Sequence, residues 1–354
     1  MHSNLTDGDP GNMTNNREQM LRQWAEHALA AAEGSIALTM VSGDASFRRY
    51  FRLQHQGESL IAVDAPPEHE DNDSFLRVDE LLLTAGVRVP RVRAADKAHG
   101  FMLLEDFGDS LYLSELLRSQ QAGDLSKPDL LYKEAIDALV EMQASANKER
   151  LGPYSREELG REMALFDQWF CEQLLEIELS ANEREIIDSA YGFLEDCALG
   201  QEAVFVHRDY HSRNLMLVDD GGPGIIDFQD AVSGPYTYDL VSLLRDCYIR
   251  WPQEQLDQWA GYYLAAAQSR GIAANVSPDQ FQRDLDLMGL QRHLKVMGIF
   301  SRLFVRDNKS RYLADIPLVI HYFLEVSSRY SELSAFRNWF QQSVLPLARK
   351  RLAF

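Results

Sequence analysis

Cysteine is scarce in this chain: three residues, Cys171, Cys197 and Cys247, stand among 354, and none forms a CxxC pair. An odd number of scattered thiols excludes a complete disulfide framework and a thiolate metal site, and it points to buried thiols in a reducing compartment. Positive charge is also short, with 35 Lys and Arg against 54 Asp and Glu, which gives a formal charge of -19 and a pI near 4.9. A nucleic-acid binder needs a basic footprint to displace counterions, so nucleic acid is excluded as an expected partner. No apolar run is long enough to span a bilayer, and residues 1–16 are polar without the apolar segment of a secretory signal. The expected location is therefore the cytoplasm, away from the membrane. Lysine is missing from a long stretch of the chain, since none precedes Lys97. Internal repeats are absent, and residues 1–16, which read as a disordered tail, are the only biased segment.

What remains is enough for a large core, since 45% of the residues are hydrophobic. From Arg17 the spacing of Met20, Leu21, Trp24, Ala28 and Leu29 predicts an amphipathic helix. Ile36–Val41, Phe47–Leu53 and Leu60–Val63, separated by turn-forming Ser42-Gly43-Asp44 and Gln56-Gly57, predict a three-stranded meander. A helix over 72–84 and strands over 89–92 and 101–104 complete a small β-rich lobe, residues 17–104. Residues 105–108 read as a connector. The remainder, 109–354, is mostly helical, with periodic segments over 128–146, 157–175 and 183–198 and again from Tyr238. Its one β-like interruption runs from Ala203 to Asp227.

That interruption carries the chemistry. His207-Arg208-Asp209-Tyr210-His211-Ser212-Arg213-Asn214 places an amide five residues after a carboxylate, and Ile226-Asp227-Phe228 presents a second carboxylate after a short hairpin. Phosphoryl transfer asks for an acceptor of the hydroxyl proton and for hard oxygen ligands to magnesium. Asp209 is the expected base, Asn214 and Asp227 the expected Mg²⁺ ligands, and His207 a structural hydrogen-bonding residue. Taken singly, such residues cap turns. Two acids that both end hydrophobic strands favour the catalytic reading. Only ten residues separate Asp227 from the helix opening at Tyr238, too few for a protein kinase's activation segment, so a protein substrate is not expected.

These motifs resemble those of the aminoglycoside phosphotransferase and choline kinase-like family, over roughly residues 36–330. The resemblance implies an α+β, two-lobed, protein-kinase-like fold and use of ATP with Mg²⁺. It assigns the nucleotide to Gly43, Ser46, Phe47, Arg48 and Arg49 in the first hairpin and to Glu105 and Phe107 in the connector. One departure stands out: the strand Leu60–Val63 ends in Asp64 where kinase-like folds place a phosphate-binding lysine, so Arg48, Arg49 or Arg52 would have to supply the cation. Asp239 matches the family's acid at a helix start, where a capping role is expected. The blocks GDASFRRYFRL, VDAPP, LLEDFGD, HRDYHSRNLM and QRHLKVMGIFSRL are similar to those of the sugar kinases of bacterial cell-wall recycling. That narrower likeness implies a small amino-sugar substrate phosphorylated at its anomeric hydroxyl, N-acetylmuramate or N-acetylglucosamine. His211, Arg213, Arg245, Tyr248, Arg302 and Arg306 are the candidate acceptor contacts, with the basic segment of Arg302 and Arg306 as the receiver of a carboxylate. An amino-alcohol or antibiotic kinase, and a nucleotide-binding regulator without turnover, are the alternatives.

Overall fold

A computed structural model describes residues 10–42, 47–219 and 221–354. It divides into two compact units, one built from the chain up to Leu83 with Arg88–Asp109, the other from Thr84–Val87 with Ser110–Phe354.

The first unit opens with helix α1 (Pro10–Ala28), which starts ahead of the expected Arg17. Proline is well suited to a first helical turn, where its missing N–H has no partner to lose. Then come strands β1 (Thr39–Ser42), β2 (Arg49–His55) and β3 (Glu58–Asp64), helix α2 (Asn72–Thr84), and strands β4 (Val92–Asp96) and β5 (Phe101–Glu105). They form one antiparallel sheet in the order β1-β2-β3-β5-β4. The β2–β3 turn is Gln56-Gly57, with φ of 50° and 83°. Two successive positive φ values are what a tight hairpin of right-twisted strands requires. The fourth strand begins at Val92, after the expected Val89, because Pro90 has no N–H for a ladder. Leu21 and Ala25 of α1 pack against Phe51, Leu53, Leu60, Ala62, Phe101 and Leu103, so α1 covers one face of the sheet.

The second unit holds α3 (Tyr112–Ala122), α4 (Ser126–Ser145), α5 (Arg156–Leu165), α6 (Ala181–Leu199), strands β6 (Ala203–Val206), β7 (Leu215–Leu217), β8 (Pro223–Ile225) and β9 (Val232–Pro235), then α7 (Tyr238–Leu244), α8 (Gln253–Ser269), α9 (Pro278–Val305) and α10 (Ile316–Ser327). Two short ribbons, β6 with β9 and β7 with β8, carry the catalytic motif between helices. β9 went unforeseen because Gly234 and Pro235 mask its strand character.

The helix α9 runs through the core and carries buried Asp286, Gln291, Arg292, His293 and Lys295. It crosses α5 at Gly298, where an added Cβ would lie 2.3 Å from the Leu165 carbonyl carbon. Leu165 ends α5, and the chain widens into a π-helix over Phe166–Leu174, where unbroken α-helical periodicity was expected. Gly298→Ala must push two backbones apart and is expected to cost about 3 kcal/mol, as overpacked cores do. Differential scanning calorimetry against the wild type checks this, and an unchanged melting temperature would refute the close crossing.

Candidate active site

The catalytic loop joins β6 to β7. Its conformation is costly in isolation, since Arg208 has φ of 77° and Asp227, after β8, φ of 66°, both in the left-handed region. Buried carboxylates near the loop hold it in place. Asp239, on the first turn of α7, accepts the N–H groups of His207 at 2.6 Å and Arg208 at 2.9 Å. Asp246, just beyond α7, accepts the Ser212 N–H at 3.1 Å and its hydroxyl at 2.5 Å. The cap expected of Asp239 is thus corrected: its side chain spans to the loop and does not close its own helix. Burial pushes its carboxyl up to about 7 against the lowering effect of those donors.

His207 is the structural residue expected of it. Its Nε2 donates to the Ile226 carbonyl at 3.1 Å and its Nδ1 accepts the Asp209 N–H at 3.3 Å, which ties the loop to the strand before Asp227. Burial pushes this imidazole down to about 4, so the ring stays neutral. Asn214 Nδ2 donates to the Asp209 carbonyl at 2.9 Å and to Asp227 Oδ2 at 3.3 Å. The Asp227 carboxylate also accepts the Gln229 Nε2 at 2.9 Å, and together with the Asn214 Oδ1 it forms a pair of neighbouring hard oxygens. Such a pair fits Mg²⁺, which keeps most of its octahedron as water and phosphate oxygens and does not need a cage of protein ligands.

The half-buried Asp209 carboxylate, by contrast, receives no hydrogen bond from any described residue. Burial alone would raise its pKa, but the positive charges of Lys295 and Arg292 hold it below the usual carboxylate range. A base that is ionised, cation-supported and unoccupied by protein donors is suited to take a proton from an incoming hydroxyl.

Both cations, Lys295 and Arg292, come from α9 and were not foreseen. They lie three residues apart, on one face of the helix. The Lys295 Nζ sits 2.9 Å from Glu162 and 2.9 Å from the Tyr238 hydroxyl. Glu162, held below its ordinary range despite burial, also binds Arg208 and the Tyr154 hydroxyl. The signal was present in QRHLKVMGIFSRL, where Arg and Lys interrupt an otherwise apolar helix face.

The acceptor candidates separate into two groups. His211 and Arg213 stand with Tyr248, whose ring is 5.5 Å from the His211 ring in an edge-on contact and 3.6 Å from the Arg213 guanidinium carbon. Arg245 does not join them, because its buried guanidinium is locked to Asp286 of α9. Arg306 pairs with its neighbour Asp307 on the surface. Arg302 lies ten residues beyond Arg292 on α9, about 15 Å along its axis, and two residues past Phe300, whose ring packs on Tyr248 at 6.3 Å.

In the first unit, Gly43 and Ser46 fall outside the described residues. Phe47 is exposed, stacked on His69 at 4.2 Å, with its N–H donated to Glu70. Arg48 is buried, ion-paired to Glu70 at 3.0 Å, and lies over the Phe75 ring of α2 at 5.5 Å. Arg49 is bound by Asp64, which also binds Arg17 of α1. The acid in the expected lysine position is therefore the fully buried partner of two arginines on the α1 side of the sheet. Arg52 is held by Asp106 and Asp109. Glu105 binds Arg88 at 2.9 Å, and the Arg88 guanidinium lies 4.9 Å from the Phe107 ring centre. Arg49, expected at the phosphates, thus makes a carboxylate contact here, and the connector's side chains are tied within their own unit.

Sequence comparison places this geometry among known proteins. The family described as the phosphotransferase enzyme family matches residues 37–275. A protein of Pseudomonas putida named N-acetylmuramate/N-acetylglucosamine kinase is 42% identical over 298 residues, 84% of this chain and 86% of its own. A protein of the same name from Neisseria meningitidis is 40% identical over 319 residues, covering 90% of this chain and 93% of its own. Among solved structures, an ethanolamine kinase of Plasmodium vivax superposes with a TM-score of 0.63 at 11% identity, covering 90% of each chain. A choline kinase of Streptococcus pneumoniae gives 0.60 at 12% identity, over 88% of this chain and 99% of its own. At such identities these two speak for the kinase-like fold alone. The family match and the closely similar relatives carry more, and by them this chain belongs to the phosphotransferase enzyme family.

Proposed function

We propose that the protein is a cytoplasmic, ATP- and Mg²⁺-dependent sugar kinase that phosphorylates the anomeric hydroxyl of N-acetylmuramate and N-acetylglucosamine, as in peptidoglycan recycling. The observation that carries the chemistry is Asp209: an ionised carboxylate, supported by cations, on a braced loop, with no donor among the described residues occupying it. The names of relatives at 40% and 42% identity over most of both chains support the choice of sugar.

In this reading the C1 hydroxyl oxygen attacks the γ-phosphorus of ATP. Its proton passes to an Asp209 oxygen, the bond from the γ-phosphorus to the bridging oxygen breaks, and ADP leaves. Magnesium, when held by Asn214 and Asp227, neutralises phosphate charge. Asp239 and Asp246 fix the loop, so that Asp209 is positioned before substrate arrives. An anomeric hydroxyl is more acidic than an ordinary alcohol, which lightens the demand on a base of depressed pKa.

The test is ADP release with N-acetylmuramate, N-acetylglucosamine, kanamycin and choline as separate acceptors, and NMR assignment of the phosphorylated carbon. A C1-phosphate from the N-acetyl sugars is expected. Turnover confined to kanamycin or choline would overturn the substrate while leaving the role of Asp209 intact.

A further inference from the structure

Arg292 stands out among the buried side chains. It is 3% exposed, and its Nη1 is buried without a hydrogen-bond partner. No ion pair or hydrogen bond of the described residues ends on its guanidinium. Its neighbour on the same helix face, Lys295, is fully engaged by Glu162 and Tyr238. The carboxylates whose charge reaches Arg292 are Asp209, Asp246 and Asp239. Asp246 is occupied by Ser212 and by the Tyr248 N–H at 3.1 Å, Asp239 by the N–H groups of His207 and Arg208, and Asp209 is kept for the reacting hydroxyl. A second orphan lies in the same place: His211 Nδ1 is buried and unpartnered, and its ring senses Asp246, Asp209 and Arg292.

A buried guanidinium without a paired anion costs several kcal/mol, and Arg cannot escape that cost by deprotonating. Such a group persists where a ligand completes it. The ligand that must come to Asp209 is the acceptor, and the group that best completes a guanidinium is a carboxylate.

We infer that Arg292 is a specificity-determining residue of the acceptor site, where its guanidinium binds the carboxylate of an acidic sugar while Asp209 addresses that sugar's hydroxyl and His211 Nδ1 bonds a polar group of the same ligand. This rests on the sugar-kinase reading and adds the basis on which the site separates an acidic sugar from its neutral counterpart. The Arg213–Tyr248 stack lies against the His211 ring.

The experiment is calorimetric binding of N-acetylmuramate and of N-acetylglucosamine to wild type, Arg292→Met and Arg292→Lys, with ADP release measured on the same preparations. Arg292→Met should weaken binding of the carboxylate sugar by about tenfold or more beyond any loss for the neutral sugar. Arg292→Lys should fold if the methionine variant does not, and should recover part of that preference. Equal losses for both sugars, or no loss in either variant, would overturn the inference. Wild type that binds N-acetylmuramate through Arg292 yet transfers no phosphate would leave it standing and refute the kinase reading. Turnover of both sugars with an unchanged preference in the variants would do the reverse.

Discussion

Asp209→Asn is expected to lower kcat by about three orders of magnitude, within the range that a positioned general base contributes. The change keeps the side chain's shape and removes its ability to take a proton. Because no described donor bonds this carboxylate, few protein contacts are lost. The backbone groups of Asp209, its N–H to His207 and its carbonyl to Asn214, are untouched. The KM for nucleotide should therefore stay close to wild type, and the loss should fall on kcat and on kcat/KM for the acceptor. Single-turnover kinetics with saturating nucleotide would show the deficit in the chemical step. A variant that retained kcat within about tenfold would remove Asp209 from the role of base, whatever the acceptor turns out to be.

The parts of this site that were readable from sequence are those with fixed local spacing. Asp209, Asn214 and Asp227 lie on short strands and turns whose geometry is set within a few residues, and the structure brings Asn214 and Asp227 into contact as that spacing required. The helix over 72–84 and the hairpin turn at Gln56-Gly57 were legible for the same reason, since periodicity and positive-φ preference are local. What sequence could not reveal were partners separated by long stretches of chain. Asp246 reaches back to Ser212, and Lys295 and Arg292 come to Asp209 from a helix some eighty residues downstream. The partners of Asp64 were hidden likewise. A position judged only by its place in β3 looked like a missing lysine, but its meaning depends on Arg17, which lies on α1. Arg245 and Arg306 looked available because they were basic. Only the fold shows that Asp286 and Asp307 already hold them.

Lys295→Met should show how far the electrostatics of the loop depend on that distant helix. Methionine keeps the packing volume while removing a cation from a buried cluster in which Glu162 serves Lys295, Arg208 and Tyr154 at once. Loss of one partner of a buried pair costs about 3–5 kcal/mol, and the lower end is expected because Arg208 remains. The pH dependence carries the sharper test. Glu162 has a depressed pKa, so its stabilising contribution is complete above its unfolded value, about 4.3, and is lost as pH falls through the lower folded value. The stability gap between wild type and variant should accordingly narrow in acid. For catalysis, burial raises the Asp209 carboxyl and Lys295 is foremost among the groups that lower it, ahead of Arg292. Removing Lys295 weakens that lowering, so the acid limb of kcat/KM for the acceptor should move to higher pH. The activity ratio of variant to wild type should be smallest in acid and recover as pH rises past both pKa values. A uniform loss at every pH would make Lys295 a packing residue only, whereas a shifted limb identifies α9 as the element that keeps the base ionised.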